Sequence, residues 1–413
     1  MNFPVSPVPV SREECAALDA ADPLAAFRKE FTLPEGEIYL NGNSLGALPV
    51  RTPEVVRRTV EDEWGQGLIR SWNAAGWTDL PYTLGDRIAP LVGAGPGEVV
   101  VCDTTSVNLF KVLTAALRLR PGRRTVLGEE TSFPTDLYIA EGVTGLFEGG
   151  RSVLLPSLDD LDAHLDDSVA AVVLSHVDYR TGVLLDMAEI TERVHRAGAL
   201  MIWDVCHSVG ALPIELAACD VDFAVGCTYK YLNAGPCAPA FLYAAPRHHA
   251  VADQPLTGWF GHAAPFAFQP GYQPAEGIGR FLTSFPSLLA LAGLRATLEI
   301  WDQVDLSAVR AKSLLMSEIF LQQADGLEVV TPRQAELRGS QVSIRHADGF
   351  PVVQAMIERG VIGDFRAPDL MRFGFTPLYL SYTDVWDAAQ ALREVLASGE
   401  WRDERFDRRG MVT

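Results

Sequence analysis

The sequence predicts an α/β protein: a large domain with a mostly parallel seven-stranded sheet covered by helices, plus a smaller α+β C-terminal domain. Three observations predict it. From Val99 to Tyr243, apolar runs alternate with amphipathic ones, as in parallel strands covered by helices on both faces. After Pro286 that alternation gives way to a long helical stretch and then to shorter mixed elements. Finally, 413 residues exceed one ordinary hydrophobic core, so the chain divides. The expected division is an arm over residues 1–45 packing with the small domain, a large domain over 46–286 and a small domain over 287–413.

The elements follow in order. Ser11 with Glu14 three residues on reads as a capped helix start. Ile38 to Leu40 is a short strand, and Asn41-Gly42-Asn43-Ser44-Leu45-Gly46 is a turn-rich loop. Thr52-Pro53 reads as N-cap and first helical position, with Val55, Val56, Val60 and Trp64 on one face. The strand candidates are Val99–Cys102, Thr125–Leu127, Ser152–Leu155, Ala170–Leu174, Leu200–Trp203, Phe223–Cys227 and Ala240–Tyr243. The intervening helical candidates are Val107–Arg118, Thr135–Glu141 and Ala188–Arg196. A helical stretch from Pro286 to about Gln323 leads into Leu327–Val330, Gln341–Ile344, Val352–Arg359, Val361–Phe365, Met371–Phe375 and Val385–Val395.

Composition narrows the function. A formal charge of −19 argues against non-specific nucleic-acid binding and against a membrane-surface protein. No apolar stretch reaches membrane-spanning length, and Met1 to Pro7 lacks a basic start and apolar core, so no signal peptide is expected. The six cysteines are scattered without CxxC pairing and read as reduced core residues of a reducing compartment, which suggests the cytoplasm.

Four of the 34 basic residues are lysine, so 30 are arginine, and each lysine invites a question. Lysine alone can shed its proton and attack a carbonyl as a neutral amine. Lys29, Lys111 and Lys312 lie in amphipathic-looking segments and read as solvated face residues. Lys230 follows the strand Phe223–Cys227 in Thr228-Tyr229-Lys230 and precedes a Gly/Pro loop, where an α/β enzyme places its chemistry. A Schiff-base lysine is the leading reading; an edge lysine snorkelling from a strand end is the plain alternative.

Four further constellations accompany it. Asp103-Thr104-Thr105-Ser106 offers hydroxyls at a helix start, suited to a phosphate or to ordinary capping. Asp204 closes a strand with His207 three residues on, either meeting a cationic ring nitrogen or forming a buried Asp–His pair. A metal site is disfavoured, since the spacing implies no third ligand. Phe133-Pro134-Thr135-Asp136 places an aromatic ring, a helix-starting proline and a carboxylate in one turn, or is simply a capped helix entrance. Arg372, alternating with apolar residues in a strand, wants a planar carboxylate, from a substrate or from an internal salt bridge.

In that order the pieces resemble the aspartate-aminotransferase-like (fold type I) enzymes that use pyridoxal 5′-phosphate, and within them the kynureninase family. The matching stretches are NGNSLGALP (41–49), TTSVNLFK (104–111), SFPTD (132–136), WDVCHSVGALP (203–213), DFAVGCTYKYLNAGP (222–236), GWFGH (258–262) and RFGFTPLY (372–379), which span nearly the whole chain. The resemblance implies that Lys230 holds the cofactor and shuttles protons, Asp204 pairs with its ring nitrogen, and Phe133 stacks on the ring. It places Thr105, Ser106, Tyr229, Pro134, Thr135, Asp136 and His207 around the cofactor. It brings Trp259 and a hydroxyl from Thr283-Ser284 to the phosphate of the neighbouring subunit of a homodimer. Arg372 would clamp the substrate α-carboxylate, with Asn43 and Trp72 near the substrate ring.

The implied reaction removes the α-proton, stores its electrons in the cofactor ring, adds water to the γ-ketone and breaks Cβ–Cγ. L-Kynurenine or its 3-hydroxy form would give anthranilate or 3-hydroxyanthranilate and L-alanine, within tryptophan breakdown and NAD biosynthesis. The rivals are an aminotransferase, a cysteine desulfurase, which needs a reactive cysteine on a late loop where this chain has none after Cys237, and a non-catalytic metabolite-binding regulator.

Overall fold

Each of the seven apolar runs forms a strand of one sheet in the computed structural model, which describes residues 8–408. In spatial order the strands are Val99–Val101, Phe241–Ala244, Phe223–Gly226, Leu200–Asp204, Val169–Ser175, Thr125–Glu129 and Arg151–Leu155. Phe241–Ala244 runs antiparallel to both its neighbours, and the other pairings are parallel. The sheet is thus mostly parallel because one strand returns through the loop after Lys230 instead of through a helix.

Why these runs are continuously apolar is visible in where they point. Met201 and Trp203 join the core on one face, while Leu200 and Ile202 join the core on the other. Both faces are buried, so every position of the strand is apolar rather than every second one. The helices Thr105–Leu119 and Pro134–Thr144 pack against each other, and Met187–Arg196 packs on Leu200–Asp204.

The C-terminal segment forms a four-stranded sheet, ordered Glu328–Val329, Gln341–Arg345, Leu370–Gly374 and Asp364–Arg366, with helices Leu306–Gln323, Gly349–Glu358 and Tyr382–Ser398. The chain's start joins it: Ile38–Tyr39 pairs parallel with Val361–Ile362, and helix Arg12–Ala21 packs on Tyr382–Ser398. The helix cap at Ser11 is present, its Oγ accepting from Glu14 N at 3.2 Å. The opening Met1 to Pro7 lies outside the described residues.

Several expectations are corrected. The long stretch after Pro286 is two helices, Leu288–Trp301 and Leu306–Gln323, the second capped by Asp305 through Ser307 N at 2.9 Å. Trp64 is 56 % exposed, because the helix begun at Thr52 widens into a π-helical turn over Thr59–Gly67 that rotates it off the valine face. The cap position there is Arg51, with Thr52 already helical. Lys111 and Lys312 are not solvated: both are buried, Lys312 bonding Asp22 at 2.7 Å and Pro377 O at 2.6 Å. Their long stems cross apolar packing to reach buried acceptors, which amphipathic spacing does not reveal. Lys29 is exposed as expected. Cys15, Cys102, Cys206 and Cys227 are buried free thiols, whereas Cys237 is exposed on the loop after Gly235.

Candidate active site

Six strands of the large sheet run in one direction, and five of them release their chains at the same edge toward one site. The segments that follow them converge on a cavity of about 470 Å³. Parallel topology makes this convergence automatic, since every strand's C-terminal end lies on one side.

Lys230 reaches the cavity from the turn after Phe223–Gly226. Its Nζ lies 6.0 Å from the centre of the Phe133 ring and 5.9 Å from that of Tyr229. The turn is held from outside by the loop Asn41 to Gly46: Gly46 N donates to Tyr229 O at 2.8 Å. A Cβ on Gly46 would stand 2.3 Å from the Lys230 carbonyl oxygen, so only glycine lets the two backbones touch.

Asp204 ends the neighbouring strand and is 8 % exposed, its Oδ1 accepting from Cys206 N at 2.7 Å. Opposite it, at the start of helix Pro134–Thr144, Asp136 is buried. Burial first, and the charge of Asp204 second, hold the Asp136 carboxyl well above the usual carboxylate range. Burial, reinforced by the positive charges of Lys230, Arg372 and Arg366, holds His207 well below 6.5, so its imidazole is neutral at pH 7. Asp136 Oδ2 and His207 Nδ1 are buried without a hydrogen-bond partner. The neighbouring Cys227 first, and burial second, raise the Tyr229 phenol above its ordinary 10.0, so it keeps its proton.

Thr104 caps the helix Thr105–Leu119, its Oγ1 accepting from Val107 N at 3.3 Å, and Thr105 and Ser106 open that helix at the cavity wall. Phe133 and Thr135 also line it. Hydroxyls beside the first N–H groups of a 15-residue helix suit an anion such as a phosphate ester.

Other expected residues lie elsewhere. Arg372 is buried and forks onto Asp364, Nε to Oδ1 at 2.7 Å, while its Nη1 donates to Tyr179 O at 2.5 Å. The internal salt bridge, one of the two open readings, is therefore present. Asn43 is buried against Gly374 and donates to Gln341 Oε1 at 3.3 Å; its neighbour Ser44 lines the cavity in its place. Trp72, Trp259, Thr283 and Ser284 stand apart from this chain's cavity, in an aromatic cluster. There Trp259, 39 % exposed, donates Nε1 to Ser284 Oγ at 3.4 Å.

Besides apolar wall residues, Ser175, Tyr179, Cys206 and Cys237 line the cavity without having been anticipated. Ser175 carried a signal, a hydroxyl at the end of an apolar strand, as Asp204 is a carboxylate at one. Tyr179 and Cys237 carried none, being placed by loops. Among the described residues, no group of three or more His, Cys, Asp or Glu could hold a metal ion. The cavity's amine, carboxylate, aromatic ring and hydroxyl-rich helix start match a flat, phosphorylated aldehyde with a basic ring nitrogen.

Comparison with known proteins fits this geometry. A family model described as the kynureninase C-terminal domain matches residues 309–392. The kynureninase of Pseudomonas fluorescens is 48% identical over 414 residues, covering 98% of this chain and 100% of its own. Among solved structures, an apo cysteine desulfurase from Thermococcus onnurineus NA1 superposes with a TM-score of 0.78 at 17% identity, covering 91% of this chain and 98% of its own. The lyase C-DES, with glycine linked to its pyridoxal phosphate, superposes at 0.77 and 19% identity, over 88% of this chain and 98% of its own. At such identities these two show a shared fold and nothing of the reaction.

Proposed function

The chain belongs to the kynureninase family, and from that premise we propose that it is a pyridoxal 5′-phosphate-dependent hydrolase of a carbon–carbon bond in a ketonic amino acid. Its substrate is L-kynurenine or the 3-hydroxy form, and its products are anthranilate, or 3-hydroxyanthranilate, and L-alanine. The observation that carries the reading is the opening of the Lys230 amine, the Asp204 carboxylate and the Phe133 ring into one cavity walled by Thr105 and Ser106.

The unpartnered atoms of the cavity test the fit of the cofactor. Asp136 Oδ2 and His207 Nδ1 are buried polar atoms facing no protein partner, a costly state unless a bound group meets them. In this reading Thr105 and Ser106 hold the phosphate, Phe133 covers one ring face and Asp204 faces the ring nitrogen. Pro134 and Thr135 set the turn that carries Asp136. When bound, pyridoxal phosphate supplies an electron sink conjugated to the substrate α-carbon.

The chain's own groups then move protons and place the substrate. Lys230 would hold the cofactor aldehyde through its amine and, when that amine is free, takes the proton at the substrate Cα. Tyr229, still protonated, donates at the cleaved side. Hydrolysis consumes one water: its hydroxyl ends on Cγ, which leaves as the aryl carboxylate, and a proton ends on Cβ, which becomes the methyl of alanine. Arg372, preset by Asp364, would offer its remaining terminal N–H groups to the substrate carboxylate, while Asn43, behind Ser44, and Trp72, outside its own cavity, have no contact with a substrate held in this subunit. Trp259 and Thr283 or Ser284 reach the phosphate of the other subunit in a homodimer working in the cytoplasm. The half-exposed position of Trp259 outside its own cavity supports the contribution across subunits.

The test is direct. The purified protein supplied with pyridoxal phosphate and kynurenine is expected to release fluorescent anthranilate and an equal amount of alanine. Release of a keto acid without alanine would instead mark an aminotransferase and overturn the proposal.

A further inference from the structure

Lys111 has no solvent exposure, yet it lies on a helix that only begins at Thr105. Its Nζ reaches back past the helix start to the Asp103 carboxylate and donates to Phe281 O at 2.5 Å. Asp103 stands at the corner between strand Val99–Val101 and that helix, with φ of +47°, a left-handed conformation uncommon for a residue with a side chain. The corner is pinned elsewhere too. Asp103 O accepts from Ala240 N at 3.0 Å, and Asn108, one turn before Lys111, donates Nδ2 to Cys102 O at 2.8 Å. The next residues, Thr104 to Ser106, form the hydroxyl wall of the cavity. Phe281, the other acceptor, lies two residues before Thr283-Ser284.

We infer that Lys111 is a positioning residue for the cofactor phosphate: a buried tether that fixes the left-handed corner at Asp103 and thereby aims the Thr104–Ser106 hydroxyls and helix N-terminus. The inference rests on the cofactor reading above and adds to it a group that touches neither cofactor nor substrate. The same amine ties that corner to the end of the 3-10 turn Gly277–Phe281 just before Thr283-Ser284, so one cation sets both hydroxyl groups assigned to phosphates. A point charge on a long stem suits two acceptors on different segments, where an arginine fork would need a planar pair.

The consequence is selective. A tether that aims phosphate donors matters to pyridoxal phosphate and not to pyridoxal, which lacks the phosphate. The experiment titrates both compounds, by visible absorbance, into the unsubstituted protein, Lys111→Met and Asp103→Asn, with thermal melting as the folding control. Lys111→Met is expected to weaken pyridoxal phosphate by about tenfold, the scale of one charge-assisted hydrogen bond, while pyridoxal affinity changes little. At saturating cofactor, kcat is expected to fall by less than the affinity does. Asp103→Asn keeps the corner's shape and softens the tether, so a smaller loss in the same direction is expected, and this variant decides the matter should Lys111→Met not fold. Equal pyridoxal phosphate affinities in all three proteins, or equal losses for both compounds, overturn the inference alone. An unsubstituted protein that binds neither compound overturns the cofactor reading beneath it.

Discussion

Two buried aspartates sit at opposite ends of adjacent strands in the large sheet, and their surroundings differ in kind. Asp222 precedes the strand Phe223–Gly226 at the sheet's N-terminal edge. Its carboxylate faces His195 Nε2 and His248 Nε2, each at 2.7 Å, Arg247 Nη2 at 2.8 Å and the Met201 N–H at 2.8 Å. Burial opposes the charge, but this ring of donors overrides it and drives the carboxyl far below the ordinary range. Asp204 ends the next strand at the opposite edge, where the protein supplies one backbone N–H to Oδ1 and sets a second carboxylate, Asp136, across the cavity. A fold building only for stability would satisfy both ends alike. Saturation at one end and shortage at the other separate a structural polar knot from a site left open for a ligand.

The sharpest break in this comparison falls on Lys230, the amine beside the undersupplied end. Lys230→Ala is expected to lower kcat by about 10⁴-fold, the upper range for loss of a positioned proton-transfer group, with the melting temperature nearly unchanged. It is also expected to abolish the visible absorbance gained on adding pyridoxal phosphate. A variant that turned over at the original rate would remove the lysine from the mechanism.

Exchanging each aspartate for its amide crosses the two ends. Asp222→Asn leaves two histidines and Arg247 without their anion, a loss of about 3 kcal/mol of stability measurable by urea denaturation, with activity per folded molecule retained. Asp204→Asn is expected to do the reverse: kcat falls about a hundredfold, as when one preorganised charge interaction at a reacting group is removed, while stability holds. Should Asp222→Asn inactivate a fully folded protein, the division between the two ends would fail.

How much of this could be read from the chain depends on how far apart the partners lie in it. The strands were legible because burial on both faces leaves a local, continuous apolar signature. The open end was legible too, since Asp204, Asp136 and Lys230 each follow an apolar run. The saturated knot was not: its donors come from residues 195, 201, 247 and 248, and no local pattern brings them to Asp222. Lys111 and Lys312 escaped for the same reason, their acceptors lying in other segments. Arg372 marks the boundary. Its place in a buried strand announced a planar carboxylate, but only the fold reveals Asp364, eight residues earlier, as one.

The smallest effect is the one that fixes the sign. Burial first, and the charge of Asp204 second, raise the folded pKa of Asp136 in the cofactor-free protein above the unfolded value of about 3.9. In the pH window between the two, the folded state binds the extra proton, and stability falls as pH rises. Asp222, with its folded pKa depressed, acts oppositely: its contribution is complete above about pH 4 and is lost as pH falls further. Asp136→Asn removes the first slope and leaves the second. Urea midpoints of the cofactor-free protein at pH 4 and pH 7 should then show the variant gaining on the unsubstituted protein toward pH 7. With pyridoxal phosphate bound, a polar group meets the cavity's unpartnered atoms, and that gain should shrink. A gain of equal size with and without the cofactor would mean that the bound group does not reach Asp136, and that the shortage of partners at this end has another cause.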